Sequence, residues 1–225
     1  MKKGIVLNNV LTSGNLSPQD HKKKFGNAQF SLNGEGEVLV KDCVFGQNCY
    51  NCLEIGLSTK HNPPSKIDIE NCDFSGVCSN NGILIFATQP NTVINIKNCH
   101  FKQLSNVLRL SNRTNVSGVV VNFENITVDQ WDNTPEWAGC FIFEDYIAKT
   151  LEEFKSANRF GDGKITINIK NLTHKGQVIH FDKLSDAMAT KDPATQIGYI
   201  FVDNIPEEGA WIPFVESEYP TINFI

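Results

Sequence analysis

Two tryptophans and three acidic residues lie in one polar stretch of the chain, between positions 129 and 137. Indole rings stack on sugars and anchor protein interfaces, whereas neighbouring carboxylates bind cations or move protons. The stretch therefore predicts a binding site for a glycan or a protein; the alternative is a solvated acidic loop that shields the flank of the fold. The candidate residues are Asp129, Trp131, Asp132, Glu136 and Trp137.

The seven cysteines are a second group with chemical potential. Cys49 and Cys52 have the CxxC spacing of zinc sites and redox pairs, and Cys78 is expected near them in the next repeat. An odd number of cysteines in a chain without an apolar leader favours reduced thiols over a disulfide framework. We interpret these cysteines as small core and loop residues, and predict neither a metal site nor a cofactor.

Acid–base catalysis has little support in the sequence. Glu54, Arg109 and His180 are expected on the outer face of one sheet, but in different repeats, with the apolar Leu84 and Ile142 beside them. This arrangement predicts a binding or packing surface. No phosphate loop, nucleophile elbow or metal-binding helix motif occurs, so no catalytic residue is predicted.

The charged residues of the other predicted sheet favour a solvated face. Their alternation with apolar residues places them outward, where neighbouring strands bring opposite charges together. The residues expected on this face are Asp68, Glu70, Asn95, Lys97, Asn168 and Lys170.

The overall charge limits the classes of partner that we expect. The net charge is −5 and arginines number three, without a basic stripe, so nucleic-acid binding is not expected. No apolar run has the length of a signal peptide or a membrane span, so we expect neither secretion through a signal peptide nor membrane insertion.

One short phrase recurs along the chain and predicts the elements that position these residues. Its clearest copies are Leu39–Phe45, Ile67–Phe74 and Ile94–Phe101; weaker copies cover 4–10, 119–126, 165–172 and 199–205. Each copy alternates apolar and polar residues, as a strand does, and most are followed by a second apolar strand. These second strands are expected at 53–55, 83–86, 107–110, 140–143, 178–181 and 211–214.

Two strands per repeat, running in one direction, predict a coil that stacks on its neighbours. The fold class is therefore all-β: one right-handed parallel β-helix domain over residues 1–225, with about six to seven coils. A β-sandwich is the alternative, but sandwiches lack a one-directional period.

Each copy carries Asn or Asp where the coil must turn. Asn tolerates left-handed backbone angles, and stacked amides bond each other in a ladder. We expect these side chains to be inaccessible, the following residue to point into the core, and Phe45, Phe74 and Phe101 to stack, with Val128 next in line. The predicted ladder is Asn9, Asp42, Asn71, Asn98, Asn125, Asn171 and Asn204.

The ladder residues are separated by 33, 29, 27, 27, 46 and 33 positions. The step of 46 predicts an insertion over about 129–160, and the apolar spacing within 144–158 predicts a helix of about three turns there. Insertions project from solenoids and often bear the functional contacts.

The repeated Asn-Cys-x-Phe phrase, with its strand pairs, resembles right-handed parallel β-helix proteins of the pectate-lyase-like class. The likeness is to an architecture, and no catalytic residue of those enzymes can be matched here. Short β-helices of this kind also resemble bacteriophage tail spikes, fibre segments and head decoration proteins. That resemblance implies a non-enzymatic component of a virion, assembled in the host cytoplasm.

The partners expected on this interpretation are other virion or assembly proteins, or two further copies of the chain in a trimer. Two alternatives stay open. One is a carbohydrate-active protein that binds or cleaves a polysaccharide through Trp131, Trp137 and the nearby acids. The other is an intracellular inhibitor or adaptor encoded by a phage, which would have one stoichiometric protein partner.

Overall fold

The computed structural model describes residues 4–8, 10–14, 28–57, 63–111, 114, 116–131, 139–145, 165–178, 198–202, 211–213 and 221–225. These ranges contain strands and turns, and none of them contains a helix. It follows that no helix of bilayer-spanning length and apolarity is found among them. The strands are β1 (Gly4–Asn8), β2 (Leu11–Gly14), β3 (Ala28–Leu32), β4 (Gly36–Lys41), β5 (Val44–Gln47), β6 (Asn51–Ile55), β7 (Pro64–Glu70), β8 (Asp73–Val77), β9 (Asn81–Ile85), β10 (Val93–Leu104), β11 (Asn106–Ser111), β12 (Val120–Trp131), β13 (Gly139–Asp145), β14 (Thr166–His174), β15 (Gln177–Val178), β16 (Gly198–Val202), β17 (Trp211–Pro213) and β18 (Thr221–Phe224).

The strands form two sheets. The first has the order β1-β4-β7-β10-β12-β14, with β18 beside β14 and with β2, β5 and β8 alongside, β8 pairing with β10. The second has the order β3-β6-β9-β11-β13-β16-β17. Neighbours are parallel, except where β15 meets β14 and β17 meets β16. Because the chain passes through one sheet and then the other before it returns, the fold is a parallel β-solenoid, as the repeated phrase predicts.

Three consecutive turns are each described without an internal gap, namely β4-β5-β6, β7-β8-β9 and β10-β11. The sequence predicts six to seven coils, so this count differs from the prediction. The other strands extend the same two sheets on either side.

The register brings equivalent positions of the phrase together. Ile94 lies between Ile67 and Val121 in neighbouring strands, and each of the three is buried. Burial of each such side chain contributes about 1.5–3 kcal/mol, which offsets part of the entropy cost of ordering the coil.

A stack of phenylalanines runs along the core as predicted. The ring centroids of Phe45 and Phe74 are 4.7 Å apart, and those of Phe74 and Phe101 are 4.4 Å apart, with interplanar angles of 16° and 10°. Phe30 of β3 meets Phe45 edge-on at 5.9 Å. Val128 pairs with Phe101 in the next strand and so ends the aromatic run.

The amide ladder is confirmed at five positions. Asp42, Asn71, Asn98, Asn125 and Asn171 all have left-handed backbones, with φ between 51° and 56°. Each Asn Nδ2 donates to the side-chain oxygen of the ladder residue one turn earlier, at 3.1, 3.1, 2.8 and 2.9 Å in chain order. The predicted members Asn9 and Asn204 lie outside the described residues.

One expectation about this ladder is wrong. Its side chains are exposed, whereas the sequence analysis expects them to be inaccessible. At the bend the left-handed residue projects outward, and the residue after it (Cys43, Cys72 or Cys99) takes the buried position.

The copy at 199–205 is assigned to the wrong sheet by the sequence. β16 pairs with β13 in the second sheet, with Tyr199 opposite Ile142. The next rung of the first sheet is instead β18, in which Ile222 pairs with Ile167 and Asn223 with Asn168. β16 is a continuous apolar run followed by Asn204, which imitates the turn residue of the phrase, whereas β18 alternates polar and apolar residues.

Two other predicted second strands also differ. β15 turns back on β14 through Lys175 and Gly176, which have positive φ, so Val178 pairs antiparallel with Thr173. β17 lies antiparallel to β16. At β15, the tight turn through Lys175 and Gly176 lets the strand pair with its own predecessor, and this competes with completion of the coil.

Within the predicted insertion at 129–160, the described residues are strands. Residues 129–131 end β12 and 139–145 form β13, so Glu144 and Asp145 are not the start of the predicted helix. The rest of that helix lies outside the described residues.

Candidate functional site

The outer face of the first sheet brings polar side chains into columns that run along the solenoid. In a parallel solenoid without register shift, each outward residue lies about 4.8 Å from its equivalent in the next turn. Three adjacent columns result: one of amides, one of alternating charges, and one that contains a histidine between two carboxylates.

The amide column begins at Asp68. Asn95 Nδ2 donates to Asp68 Oδ1 at 2.7 Å, Asn122 Nδ2 to Asn95 Oδ1 at 2.8 Å, and Asn168 Nδ2 to Asn122 Oδ1 at 2.7 Å. Lys66 Nζ lies 2.5 Å from the second oxygen of Asp68. This second ladder is half-buried, whereas Asp68, Asn95 and Asn168 are predicted from the sequence only as solvated residues and Asn122 is not among the predicted ones.

The charge column contains cross-strand pairs of the predicted kind, but they form through Glu124, which is not among the predicted residues. Lys97 Nζ and Lys170 Nζ lie 3.3 Å and 3.4 Å from the two oxygens of Glu124. Hydrogen bonds from Lys97 and then Lys170 lower the pKa of Glu124. Because the Glu124 side chain is 33% exposed and remains in contact with water, the pairs align strands more than they stabilise them.

The third column places His100 between two carboxylates. His100 Nδ1 lies 3.2 Å from Asp73 Oδ1, and His100 Nε2 lies 2.8 Å from Asp129 Oδ2. Partial burial lowers the pKa of His100, but the hydrogen bonds and charges of Asp129 and Asp73 outweigh it and raise the pKa overall. A partly exposed imidazolium next to two carboxylates can donate a proton to a bound molecule and can bind its polar groups.

The structure places one of the sequence-predicted site residues in this column. Asp129 is exposed near the end of β12 and contacts His100. Trp131 ends the same strand, with its backbone paired to Leu104, and its side chain is not described. Asp132, Glu136 and Trp137 lie outside the described residues.

His100 itself is absent from the sequence-based site. The signal was in the repeat: the position between Cys and Phe of the phrase is Asp73 in one copy and His100 in the next. When the copies are aligned at this variable position, Asp73 and His100 fall opposite each other in neighbouring strands, so their contact could be predicted.

A third amide ladder lies at the start of the second-sheet strands and is fully buried. Asn81 Nδ2 donates to Asn51 Oδ1 at 3.0 Å, and Asn106 Nδ2 to Asn81 Oδ1 at 3.4 Å. Asn51 Nδ2 in turn donates to Glu54 Oε1 at 3.0 Å, while Ser31 Oγ donates to Oε2 at 3.1 Å. The signal for this ladder is an Asn two residues before each paired apolar position of the second strands.

Glu54 therefore differs from the expectation of an outward surface residue. It is 4% exposed, and its register neighbour Leu84 is 6% exposed. Arg109 follows Leu84 in register as predicted, whereas His180 lies outside the described residues. The buried carboxylate is satisfied by Ser31 and Asn51, which fits a packing role rather than an acid–base role.

The first turn presents an incompletely covered apolar end. β1 and β3 each pair on one side only among the described strands. Val6 is 69% exposed and Leu11 is 74% exposed, while the inward residues of this turn are only partly buried. We call this surface the first-turn end; its residues are Ile5, Val6, Leu7, Val10, Leu11, Phe30 and Leu32.

No protein-family model, curated protein or solved structure matches this chain. The parallel solenoid by itself does not imply a function, because one architecture serves many unrelated ones. What the chain does has to be inferred from its own columns, ladders and first-turn end.

Proposed function

We propose that this chain is a non-enzymatic structural and binding component of a larger assembly, attached to a second protein through the first-turn end. The observation that supports the proposal is the exposure of Val6 and Leu11 on and beside an edge strand. An uncovered strand edge with apolar side chains favours pairing with another chain. A partner strand that added to β1 would pair with the backbone groups that no described strand pairs with and would cover both side chains.

The setting that we propose is the surface of a bacteriophage particle, as a decoration, spike or fibre-segment subunit. The support is the resemblance of the solenoid to such components, together with a body stiffened by stacked amides and phenylalanines. In that setting, shape and attachment supply the function, and no chemical step is required.

The test is a double variant, Val6→Glu with Leu11→Glu, made in the full chain. Leu57→Glu is the matched control, because Leu57 is an exposed leucine in the body of the solenoid, 43% accessible. The measurements are absolute mass by light scattering and co-sedimentation of the tagged chain with phage particles. We expect the wild type and Leu57→Glu to sediment with the particles, and the double variant to stay behind as a folded monomer.

The outcomes separate the occupants of this surface. A double variant that still sediments with particles, or a wild type that never does, contradicts attachment through the first-turn end. A wild-type trimer that the double variant converts to monomers identifies further copies of the chain as the occupant.

A second candidate function, binding or cleavage of a polysaccharide, has one observation in its favour. The Asp73–His100–Asp129 column places a proton donor and two carboxylates on one exposed face. We expect glycan binding or cleavage, if present, to be lost in His100→Gln and Asp129→Asn. Glycan activity would be retained in Lys102→Ala, a control at an exposed residue of β10, the strand that contains His100. Glycan activity with this pattern, without particle attachment, would replace the assembly proposal.

A further inference from the structure

Three buried thiols converge at one corner of the solenoid. Cys49 and Cys52 lie on either side of the turn into β6, and their sulfur atoms are 3.1 Å apart. Cys78 comes from the next turn, where its backbone pairs with that of Cys49. The three Sγ atoms all lie within 4.8 Å of one another, and each residue is at most 2% exposed.

This trio differs from the other buried cysteines of the chain. Cys43, Cys72 and Cys99 form a column in which each thiol donates to the carbonyl two residues earlier, at 3.1–3.2 Å. These three do not form a mutually close group, because one turn of the solenoid separates each from the next. Regular stacking explains that column, whereas it does not require Cys49, Cys52 and Cys78 to meet.

The donor set of the trio selects a class of ion. Three sulfur atoms converge, and no fourth His, Cys, Asp or Glu joins them among the described residues. Structural zinc sites almost always have four ligands in a tetrahedron. Three sulfurs at a metal–sulfur distance of about 2.3 Å would lie about 4.0 Å apart in a planar site. That spacing lies between the 3.1 Å that separates Cys49 Sγ from Cys52 Sγ and the 4.8 Å within which all three sulfurs lie, so ion binding requires Cys49 and Cys52 to move apart by about 0.9 Å.

We propose that Cys49, Cys52 and Cys78 bind one soft, thiolate-preferring cation in three-coordinate geometry, of which monovalent copper is the physiological example. The site joins two successive turns and is separate from the first-turn end. Its existence therefore does not depend on the proposed function.

The hydrogen bonds of Cys78 change when it binds an ion. As a thiol it donates its S–H to the carbonyl oxygens of Asn81 and Tyr50, at 2.9 Å and 3.1 Å, and these contacts are given up when the sulfur is deprotonated to bind an ion. Backbone groups of Asn80 and Cys52 also hydrogen-bond to this sulfur and offset part of the negative charge of bound thiolates. Cys49 and Cys78 form an isolated bridge between the two turns, beside the β5–β8 and β6–β9 pairs. Because the trio is buried, an ion reaches it only when this corner opens locally.

The test titrates the reduced chain with monovalent copper in the absence of oxygen, against a chromogenic copper chelator. Alkylation under denaturing conditions first verifies that all seven thiols are free. We expect one equivalent of copper to be retained by the wild type and lost in each of Cys49→Ser, Cys52→Ser and Cys78→Ser. Cys99→Ser is the matched control, because it removes a buried thiol from the other column and should retain the copper.

Several outcomes decide the proposal. X-ray absorption of the copper-loaded chain should show three sulfur neighbours at about 2.3 Å. Equal copper retention in all variants, or none in the wild type, overturns the site. Displacement of copper by one equivalent of zinc overturns the three-coordinate assignment. Where a serine variant does not fold, as judged by circular dichroism, the alanine variant at the same position replaces it.

Discussion

At the scale of single residues, the turn asparagines combine two requirements in one side chain. The backbone at Asn98 has a φ of 51°, which costs most residues about 1–2 kcal/mol but is tolerated by Asn. The same side chain donates to Asn71 and accepts from Asn125. Its exposure means that water can replace part of what is lost on substitution.

Asn98→Leu should therefore destabilise the chain more than Asn98→Gly. Leucine loses both ladder bonds and meets the left-handed strain, whereas glycine loses the bonds but accepts the backbone. We expect the leucine variant to be less stable than the glycine variant by about 1–2 kcal/mol, measured by urea unfolding. Equal midpoints for the two variants would show that the turn angle imposes no strain.

Asn95→Leu tests the second ladder in the same assay. The sequence alone expects little effect, but Asn95 is half-buried and bonds to both Asp68 and Asn122. We expect a loss of about 1–3 kcal/mol, since both neighbours lose a partner in a partly buried column. A change within experimental error would assign the stability of this face to the backbone alone.

His100 should make stability depend on pH. Its pKa is raised in the folded chain above the ordinary value of 6.5, so the folded state binds the proton more tightly than the unfolded state does. The stabilisation is complete below about pH 6.5 and is lost as the pH rises through the folded pKa. In His100→Gln this dependence should disappear, whereas in His174→Gln it should persist, as measured by unfolding free energy from pH 5 to 9. An unchanged profile in His100→Gln would assign the dependence to another group.

At the scale of elements, the sequence predicts what repeats and misses what varies. The strands around Ile67, Ile94 and Val121 and the turn residues Asn71 and Asn98 recur at fixed phrase positions, so their register could be predicted. β16 and β18 could not be assigned to a sheet, because Asn204 after β16 imitates the turn residue of the phrase and no local signal specifies the neighbouring strand of either. The register partner of His100 in β12 is Thr127, whereas the residue that His100 contacts is Asp129, two positions further along. The repeat does not encode this diagonal contact.

Phe74 offers the sharpest test of packing between elements. It lies between Phe45 and Phe101 in the stack and is fully buried. Phe74→Ala should cost about 3–5 kcal/mol, because it leaves a cavity and removes two ring contacts. Phe74→Leu fills most of the cavity and should cost clearly less; chemical denaturation measures both. Similar losses for the two variants would mean that ring stacking, rather than volume, dominates.

At the scale of the whole molecule, a solenoid gains stability from contacts between neighbouring turns. The middle turns have a neighbour on each side, whereas β1 and β3 pair on one side among the described strands. Stability should therefore fall toward the first turn.

Hydrogen exchange of backbone amides reports this gradient directly. We expect amides of β7 and β10 to be the most protected and those of β1 to exchange fastest, because end strands open without breaking the middle. Binding of the proposed partner should slow exchange in β1 selectively. Uniform protection along the solenoid would mean that it unfolds as a single cooperative unit.

The three amide ladders have a common polarity. In each, the Nδ2 atoms point toward the preceding turn and the oxygens toward the following one, so the small side-chain dipoles add along the solenoid axis. A carboxylate lies at the positive end of every ladder: Asp42 in the first ladder, Asp68 in the second and Glu54 in the third. This is the arrangement by which an acidic residue complements the amino-terminal end of a helix, built here from side chains instead of peptide groups. A carboxylate is favourable only at the first position of a ladder. At any later position its oxygen would face the side-chain oxygen of the preceding ladder residue.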